Sequence, residues 1–523
     1  MEIRPFVVDA AQAALGERAL RKWGDGGYSA VLVACYARPP RHCAPLEGSA
    51  RDAVWMPFRG GAEMASPWLS DREIERLSAL DRAHFFHPAT PLQQYAKDGP
   101  RIFVRGEGIY LFDAKGRRYI DGLSSLWNVN CGHGRQDIVD AITEQMRELA
   151  FSTSFFGFAH PTGIELAAKL AELTPPGLDR LFFVGSGSEA NETAVKLARS
   201  YHKVRGHERK VKVVSRMRAY HGATYGVLSA TRLRQYHQYV TPLMDGFLEA
   251  PAPYHYRCDF CRDETGCTDR CATELEALIQ REDPETVAML IAEPVQGAGG
   301  VLVPPPDYLP RVREICRRYD VLFVADEVIN GFGRTGRMFG VNHWDVVPDM
   351  LTVGKGLTSG YMPLSGVAVS NAIYQTLTTR PEEFTFWHGF TYNAHPGCCA
   401  AALKNLEIIE KENLVEHAAI MGRRLLERLR DLLDSPIVGE VRGLGLLAAV
   451  ELVADKATRA SFPDSRGGAM VRQKCLERGL ILRALGDVVA MCPPLVITAE
   501  EVDALAGTII AAVRETEREI RAA

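Results

Sequence analysis

Lys355 stands between two glycines just past an apolar run, in PDMLTVGKGLTSG. A lysine withdrawn from water loses its proton more readily and becomes an amine that can attack an aldehyde. The small neighbours leave room for a bulky group. The same pattern also reads as a lysine reaching solvent from a strand end. Asp326 closes a second apolar run, in VLFVADEVINGFGRTG. A carboxylate placed there is partly buried and needs a cation or a hydrogen-bond donor. A protonated pyridine nitrogen would satisfy it. So would a structural salt bridge, or a metal shared with Glu327. The third stretch is LFFVGSGSEANETAVKLAR. A strand ends, small residues turn the chain and a helix begins, so exposed N–H groups and the helix dipole favour a phosphate. Ser186 and Ser188 add hydroxyl donors, although a capped helix after a tight turn explains the same residues. The spacing is not that of a Walker lysine loop, which argues against a nucleoside triphosphatase.

Taken together, the three stretches supply a phosphate cradle, a partner for a ring nitrogen and an aldehyde-capturing amine. That is the set pyridoxal-5′-phosphate (PLP) requires. The elements around them are consistent with one shared site. Apolar runs at 181–184, 211–215, 288–294, 321–328, 349–355 and 364–370 alternate with helical segments. This pattern predicts an α/β fold whose large domain is built on a mostly parallel sheet covered by helices on both faces. In such sheets ligands sit beyond the carboxyl ends of the strands. Gly187, Ser188, Glu293, Asp326 and Lys355 all fall at those ends. Upstream, IFVRGEGIYLFDAKGRRYIDG reads as short antiparallel strands, followed by helices at 135–150 and 162–174. A second α/β unit follows residue 400, with helices near 398–411 and 414–434.

The chain has 523 residues, 46% hydrophobic and 24% charged, with a net charge of -4. That balance is ordinary for a soluble globular protein and argues against nucleic-acid binding, which needs a basic face. No apolar run approaches the ~18 residues of a membrane span. Twelve cysteines without a secretion signal suggest reduced thiols and a cytoplasmic location. Four of them, Cys258, Cys261, Cys267 and Cys271, form C-x2-C-x5-C-x3-C. This could be a zinc knuckle, two disulfides or four thiols, and the spacing is not that of a standard zinc ribbon. Residues 1–63 mix Arg, Pro, Ala and Gly without period and read as a poorly ordered appendage.

The chain resembles the class III aminotransferases, of the aspartate-aminotransferase fold, over about residues 68–515. The segments that carry the resemblance are GSGSEANETAVKLAR, AYHGATYG, LIAEPVQGAGG, FVADEVINGFGRTG, MLTVGKG, HGFTYNAHPGCCAAAL and VRGLGLLAAVEL. SSLWNVNCGHG and LILRALGDVVAMCPPLVIT are most similar to the ω-transaminases that use pyruvate. The resemblance implies that Lys355 carries PLP as a Schiff base and serves as the proton-transfer base once freed. It implies cofactor contacts from Gly187, Ser188, Tyr220, His221, Asp326 and Val328. Thr391 would reach the phosphate of a neighbouring subunit, making the minimum unit a homodimer with shared sites, with a tetramer left open. Trp127, Phe155 and Phe156 would line the substrate pocket. Core packing is a rival account for both phenylalanines. Arg483 would hold a keto-acid carboxylate and swing aside for an apolar amine. The implied reaction is ping-pong transfer from an amine or ω-amino acid to a keto acid, with pyruvate expected. A biotin-pathway transaminase and an aminomutase or racemase of the same fold are the alternatives. A protein that kept the fold and lost the chemistry is a further one. The implied domains are residues 64–134 with 396–523 as the small domain, and 135–395 as the large one.

Overall fold

A computed structural model describes residues 68–258, 260, 270–379 and 384–522. The reading of residues 1–63 therefore lies outside the described residues, as do Cys261 and Cys267.

Seven strands make the central sheet: β4 (Arg180–Val184), β5 (Lys212–Arg216), β6 (Phe247–Ala250), β7 (Val287–Ala292), β8 (Leu322–Asp326), β9 (Met350–Val353) and β10 (Ser365–Val369). Their order is β4-β10-β9-β8-β7-β5-β6. β7 to β10 are buried along their whole length. That explains their unbroken apolar sequences: a strand covered on both faces has no solvent side to mark with polar residues. The sheet is mostly parallel, as expected, and one strand is reversed. β10 runs antiparallel to both β4 and β9, while β5 to β9 pair in parallel. The connection between β9 and β10 holds only a short 3-10 turn at Lys355–Leu357. A parallel return needs a longer crossover, usually a helix. β6 is an additional strand that the sequence pattern did not reveal.

Because β4 and β9 both oppose β10, the carboxyl ends of β4, β5, β7, β8 and β9 share one edge of the sheet. The helix Gly187–Val204 leaves that edge immediately after β4. It buries Ala190, Ala194, Val195, Leu197 and Ala198 in an apolar layer with β4, β7, β8 and β10 residues.

Two smaller sheets flank this layer. β1 (Phe103–Glu107), β2 (Tyr110–Asp113) and β3 (Arg118–Asp121) form the expected antiparallel meander. The last strand of that sheet is β13 (Leu480–Ile481), parallel to β3, so residues near both ends of the described chain share it. The other sheet is β11 (Val438–Gly443), β12 (Ala448–Leu452), β15 (Val488–Met491) and β14 (Arg483–Leu485), in that order. The expected helices appear at Gln136–Glu148, Pro161–Leu173, Pro396–Lys411 and Leu414–Arg430. Among the described residues, no helix is long and apolar enough to cross a membrane.

Candidate active site

At the shared strand edge lies a cavity of about 130 Å³, lined by Ser186–Ser188, Asn191, Tyr220–Gly222, Glu293, Asp326, Val328, Ile329 and Lys355. The three stretches singled out from sequence thus meet in one place. Each contributes through a strand that stops at the same edge.

The first wall is a helix start. Ser186 caps it, its hydroxyl oxygen accepting from the Glu189 N–H at 3.2 Å. The Glu189 carboxylate in turn accepts from the Gly185 N–H at 2.7 Å. Ser188 Oγ accepts from the Ala223 N–H at 3.1 Å, which leaves its own hydrogen available. Close approach forces glycine here. A Cβ on Gly222, at φ +136°, would stand 2.6 Å from Ser188 Oγ, and one on Gly187 3.0 Å from Val328 Cγ1. This is a narrow pocket floor of backbone N–H groups at the positive end of a helix dipole, suited to an oxyanion.

The opposite wall is a buried acid. Asp326 is only 3% exposed. Its Oδ2 accepts from His221 Nδ1 at 2.7 Å and from Asn191 Nδ2 at 2.8 Å, and its Oδ1 from the Val328 N–H at 3.1 Å. Burial alone would raise its pKa. The hydrogen bond and charge of His221, with the donors of Asn191 and Val328, hold the carboxyl below its ordinary range instead. An ionised carboxylate that lines a cavity is poised for a cationic ring N–H. A metal shared with Glu327 does not fit. Glu327 turns away to accept from the Gly340 and Val341 N–H groups at 2.8 Å each, and no cluster of metal-ligating side chains occurs among the described residues.

Lys355 follows β9 at φ +43°, a left-handed conformation that costs a non-glycine residue about 1 kcal/mol or more. Burial pushes its ammonium below the ordinary lysine value, against the opposing pull of Asp326 and Glu293. Its Nζ has no hydrogen-bond partner among the described residues. A desolvated, unpaired amine beside an ionised acid is a nucleophile in waiting. Glu293 is buried too. Its oxygens accept from the Tyr220 N–H at 3.1 Å and the Gly297 N–H at 2.9 Å, and burial raises its pKa.

Two members of this wall, Asn191 and Glu293, had no role assigned from sequence. Asn191 lies four residues after Gly187, one turn along the same helix face, and that spacing was the available signal. His221 Nε2 and Asn191 Oδ1 are buried without a partner among the described residues. Unsatisfied polar atoms around a small cavity signal a group to be bound there. An anion-binding floor, an ionised acid, a desolvated amine and orphaned polar atoms together fit a phosphorylated, cationic heteroaromatic aldehyde.

The other expected residues lie elsewhere. Trp127 is 2% exposed and packs in an apolar cluster with Leu123, Val295 and Ile329; of these four, Ile329 alone lines the cavity. Phe155 and Phe156 line a separate cavity of about 770 Å³ with Trp387, His388 and Gly389. Thr391 lies exposed just beyond that segment. Arg483, at the start of β14, lines a third cavity of about 380 Å³. It is close enough for its charge to oppose that of Lys355 and to offset part of the rise that burial causes in the pKa of Tyr220. Of the cysteine cluster, Cys258 Sγ and Cys271 Sγ are 3.5 Å apart.

The family model for aminotransferase class III matches residues 94–513. The chain belongs to the class III aminotransferases. Members of this family depend on PLP, and this aminotransferase catalyses amino-group transfer. It is 42% identical over 440 residues to the putrescine–pyruvate aminotransferase of Pseudomonas aeruginosa, covering 84% of this chain and 95% of that one. Its fold is similar to that of an (S)-enantioselective ω-transaminase from Thermomicrobium roseum, with TM-score 0.81 and 46% identity over 85% of this chain and 98% of that one. It is also similar to an ω-transaminase from Pseudomonas jessenii in complex with PMP, with TM-score 0.82 and 39% identity over 84% and 98% of the two chains.

Proposed function

We propose that this aminotransferase moves an amino group from an amine or ω-amino acid to pyruvate by a ping-pong route, with Lys355 as its catalytic base. The observation that carries this reading is the convergence of the Gly187–Ser188 helix start, the Asp326–His221 pair and the desolvated Lys355 amine on one small cavity.

The bound cofactor supplies an electron sink and a carrier for the amino group. Gly187 and Ser188 hold its phosphate, Asp326 its ring nitrogen and Lys355 its aldehyde carbon. Tyr220, His221 and Val328 fix the ring. Lys355 Nζ then moves the proton at the substrate carbon that bears nitrogen, a task suited to an amine whose pKa burial has lowered. The enclosing apolar wall of Val328 and Ile329 limits water. Arg483 orients the keto-acid carboxylate through its planar fork, and Trp127, Phe155 and Phe156 shape the substrate side.

A homodimer with shared sites is part of this reading. Phe156 is 83% exposed, Trp387 84% and Tyr392 67%. Large aromatic surface of that kind is ordinarily covered by a partner, and it surrounds Thr391, the residue assigned to the neighbouring phosphate. Dilution to monomers then abolishes activity, and a fully active monomer overturns the arrangement. We assign the small domain to 64–134 and 396–523, the large one to 135–395, and a cytoplasmic location.

A donor screen with pyruvate, measuring alanine, tests the function. An isomerase of the same fold would turn over without any keto acid. A biotin-pathway enzyme would ignore pyruvate. Alanine formation that depends on both amine and pyruvate supports the reading, and its absence with every donor class overturns it.

A further inference from the structure

Residues 384–390 form neither strand nor helix, yet they lead directly into Thr391. Their fixed point is His388. Its half-buried imidazole stacks on Phe182, with 10° between the planes and 5.6 Å between the ring centres. Phe386 and Phe390 meet it edge-on at 5.2 and 5.1 Å. Both ring nitrogens reach the helix Gly187–Val204: Nε2 is 2.8 Å from Thr193 Oγ1, and Nδ1 is 3.2 Å from Lys196 Nζ. The tautomer follows from these partners. Thr193 gives its only hydroxyl hydrogen to the Glu189 carbonyl at 2.7 Å, so it accepts from the Nε2–H. The Lys196 ammonium can only donate, so Nδ1 accepts. Burial and the Lys196 charge push the pKa of His388 down to about 4, which keeps the imidazole neutral and this tautomer in place near pH 7.

The two sides of this joint lead to phosphate sites. Thr193 is buried on the helix whose first turn, at Gly187 and Ser188, forms the anion-binding floor. His388 stands three residues before Thr391, and a short turn carries that threonine. The Asn393 N–H donates to the Phe390 carbonyl at 3.1 Å, and Asn393 Oδ1 accepts from the Phe390 N–H at 3.1 Å. Asn393 is buried, while Thr391 and Tyr392 are exposed. The turn is therefore clamped at its base and holds Thr391 at its tip.

We infer that His388 is a positioning residue for the neighbouring subunit's cofactor: it ties the turn that presents Thr391 to the helix that holds its own subunit's phosphate. The inference rests on the shared-site reading and names what aims Thr391. The aim is then set by a packed helix and not by a loop free to move.

Release of pyridoxamine phosphate from the holoenzyme tests this, because that form has no covalent bond to Lys355 and its loss on dialysis, followed by absorbance, reads the phosphate grip. Thr391→Val is expected to speed release about 10-fold, the loss of one charge-assisted hydrogen bond. His388→Leu is expected to speed it about 5-fold. In the Thr391→Val background the same change is expected to add less than about 2-fold, since a residue that acts through Thr391 has nothing left to aim. His388→Gln keeps one donor and one acceptor and is expected to restore slow release. Thr193→Val cuts the joint from the helix side and is expected to match His388→Leu, which keeps the test decisive should the leucine variant fail to fold. Losses that multiply in the double variant overturn the inference, and so does wild-type release from both His388→Leu and Thr193→Val. Failure of the shared-site reading looks different: Thr391→Val itself releases at the wild-type rate, or sedimentation shows a monomer, and the inference then falls with it.

Discussion

His221 Nδ1 lies 2.7 Å from Asp326 Oδ2, with both side chains sealed from solvent. An ionised carboxylate has no hydrogen to give, so Nδ1 carries the one between them. His221 therefore holds Asp326 charged and fixes its plane, with Asn191 bracing the same oxygen. Asp326→Asn keeps the shape and removes the charge. Its kcat for amine and pyruvate should fall on the order of 10² to 10³, as for loss of one preorganised electrostatic group, and the cofactor should wash out faster. Stopped-flow half-reactions and dialysis followed by absorbance read the two effects separately.

Lys355→Met should abolish turnover and still stabilise the cofactor-free protein. The pKa of Lys355 in the fold is below 10.5, so between that value and 10.5 the unfolded chain binds more protons at this position. Stability then rises with pH through that window, and at neutral pH the buried amine works against the fold. Thermal melting of cofactor-free wild type and variant at pH 7 should give the variant the higher Tm. A lower Tm would contradict the burial argument.

Glu327 gives a second pH signature. Burial, partly offset by the Val341 and Gly340 N–H groups, raises its carboxyl to about 7 in the fold from 4.5. The native state therefore holds the extra proton between those values, and stability falls as pH rises from 4.5 through 7. Glu327→Gln removes this titration. The difference in Tm between wild type and variant should shift in the variant's favour as pH rises from 5, by an amount worth roughly 1.4 kcal/mol per unit of pH up to about 7, and level off above it.

Arg483→Ala should separate the two half-reactions. An uncommitted guanidinium beside the cofactor cavity serves the carboxylate of the keto acid, so the pyruvate half-reaction should lose about 10-fold or more in kcat/KM. Reaction with an uncharged-tail amine should change far less. Equal losses in both would remove Arg483 from substrate binding.

Much of this site was legible before any coordinates. Lys355, Asp326 and the Gly187–Ser188 turn each end an apolar run, and strands buried on both faces announce themselves by composition. The direction of a strand does not. An apolar run such as Ser365–Val369 reads alike in either sense, and only its short link from β9, with no helix, hinted at the reversal. Asn191 was hidden for another reason: its partner Asp326 is 135 residues away, and no local pattern encodes that distance. Trp127, Phe155, Phe156, Thr391 and Arg483 were placed by resemblance alone. The structure places Phe155 and Phe156 in one separate cavity, Arg483 in another, Trp127 in a buried apolar cluster and Thr391 on an exposed segment, which periodicity has no means to foresee.

The reversal of β10 has a mechanical outcome for the reacting lysine. The chain leaves the sheet at Val353 and returns at Ser365, and Val353 is paired with Gly366 across the ladder. Gly354 is packed so closely that a Cβ there would sit 2.5 Å from Ser365 Oγ. Lys355 is thus mounted on a span anchored at both feet to adjoining, hydrogen-bonded strands. Its amine inherits the stiffness of the sheet, so the aim of the nucleophile is set by strand pairing and not by a free loop.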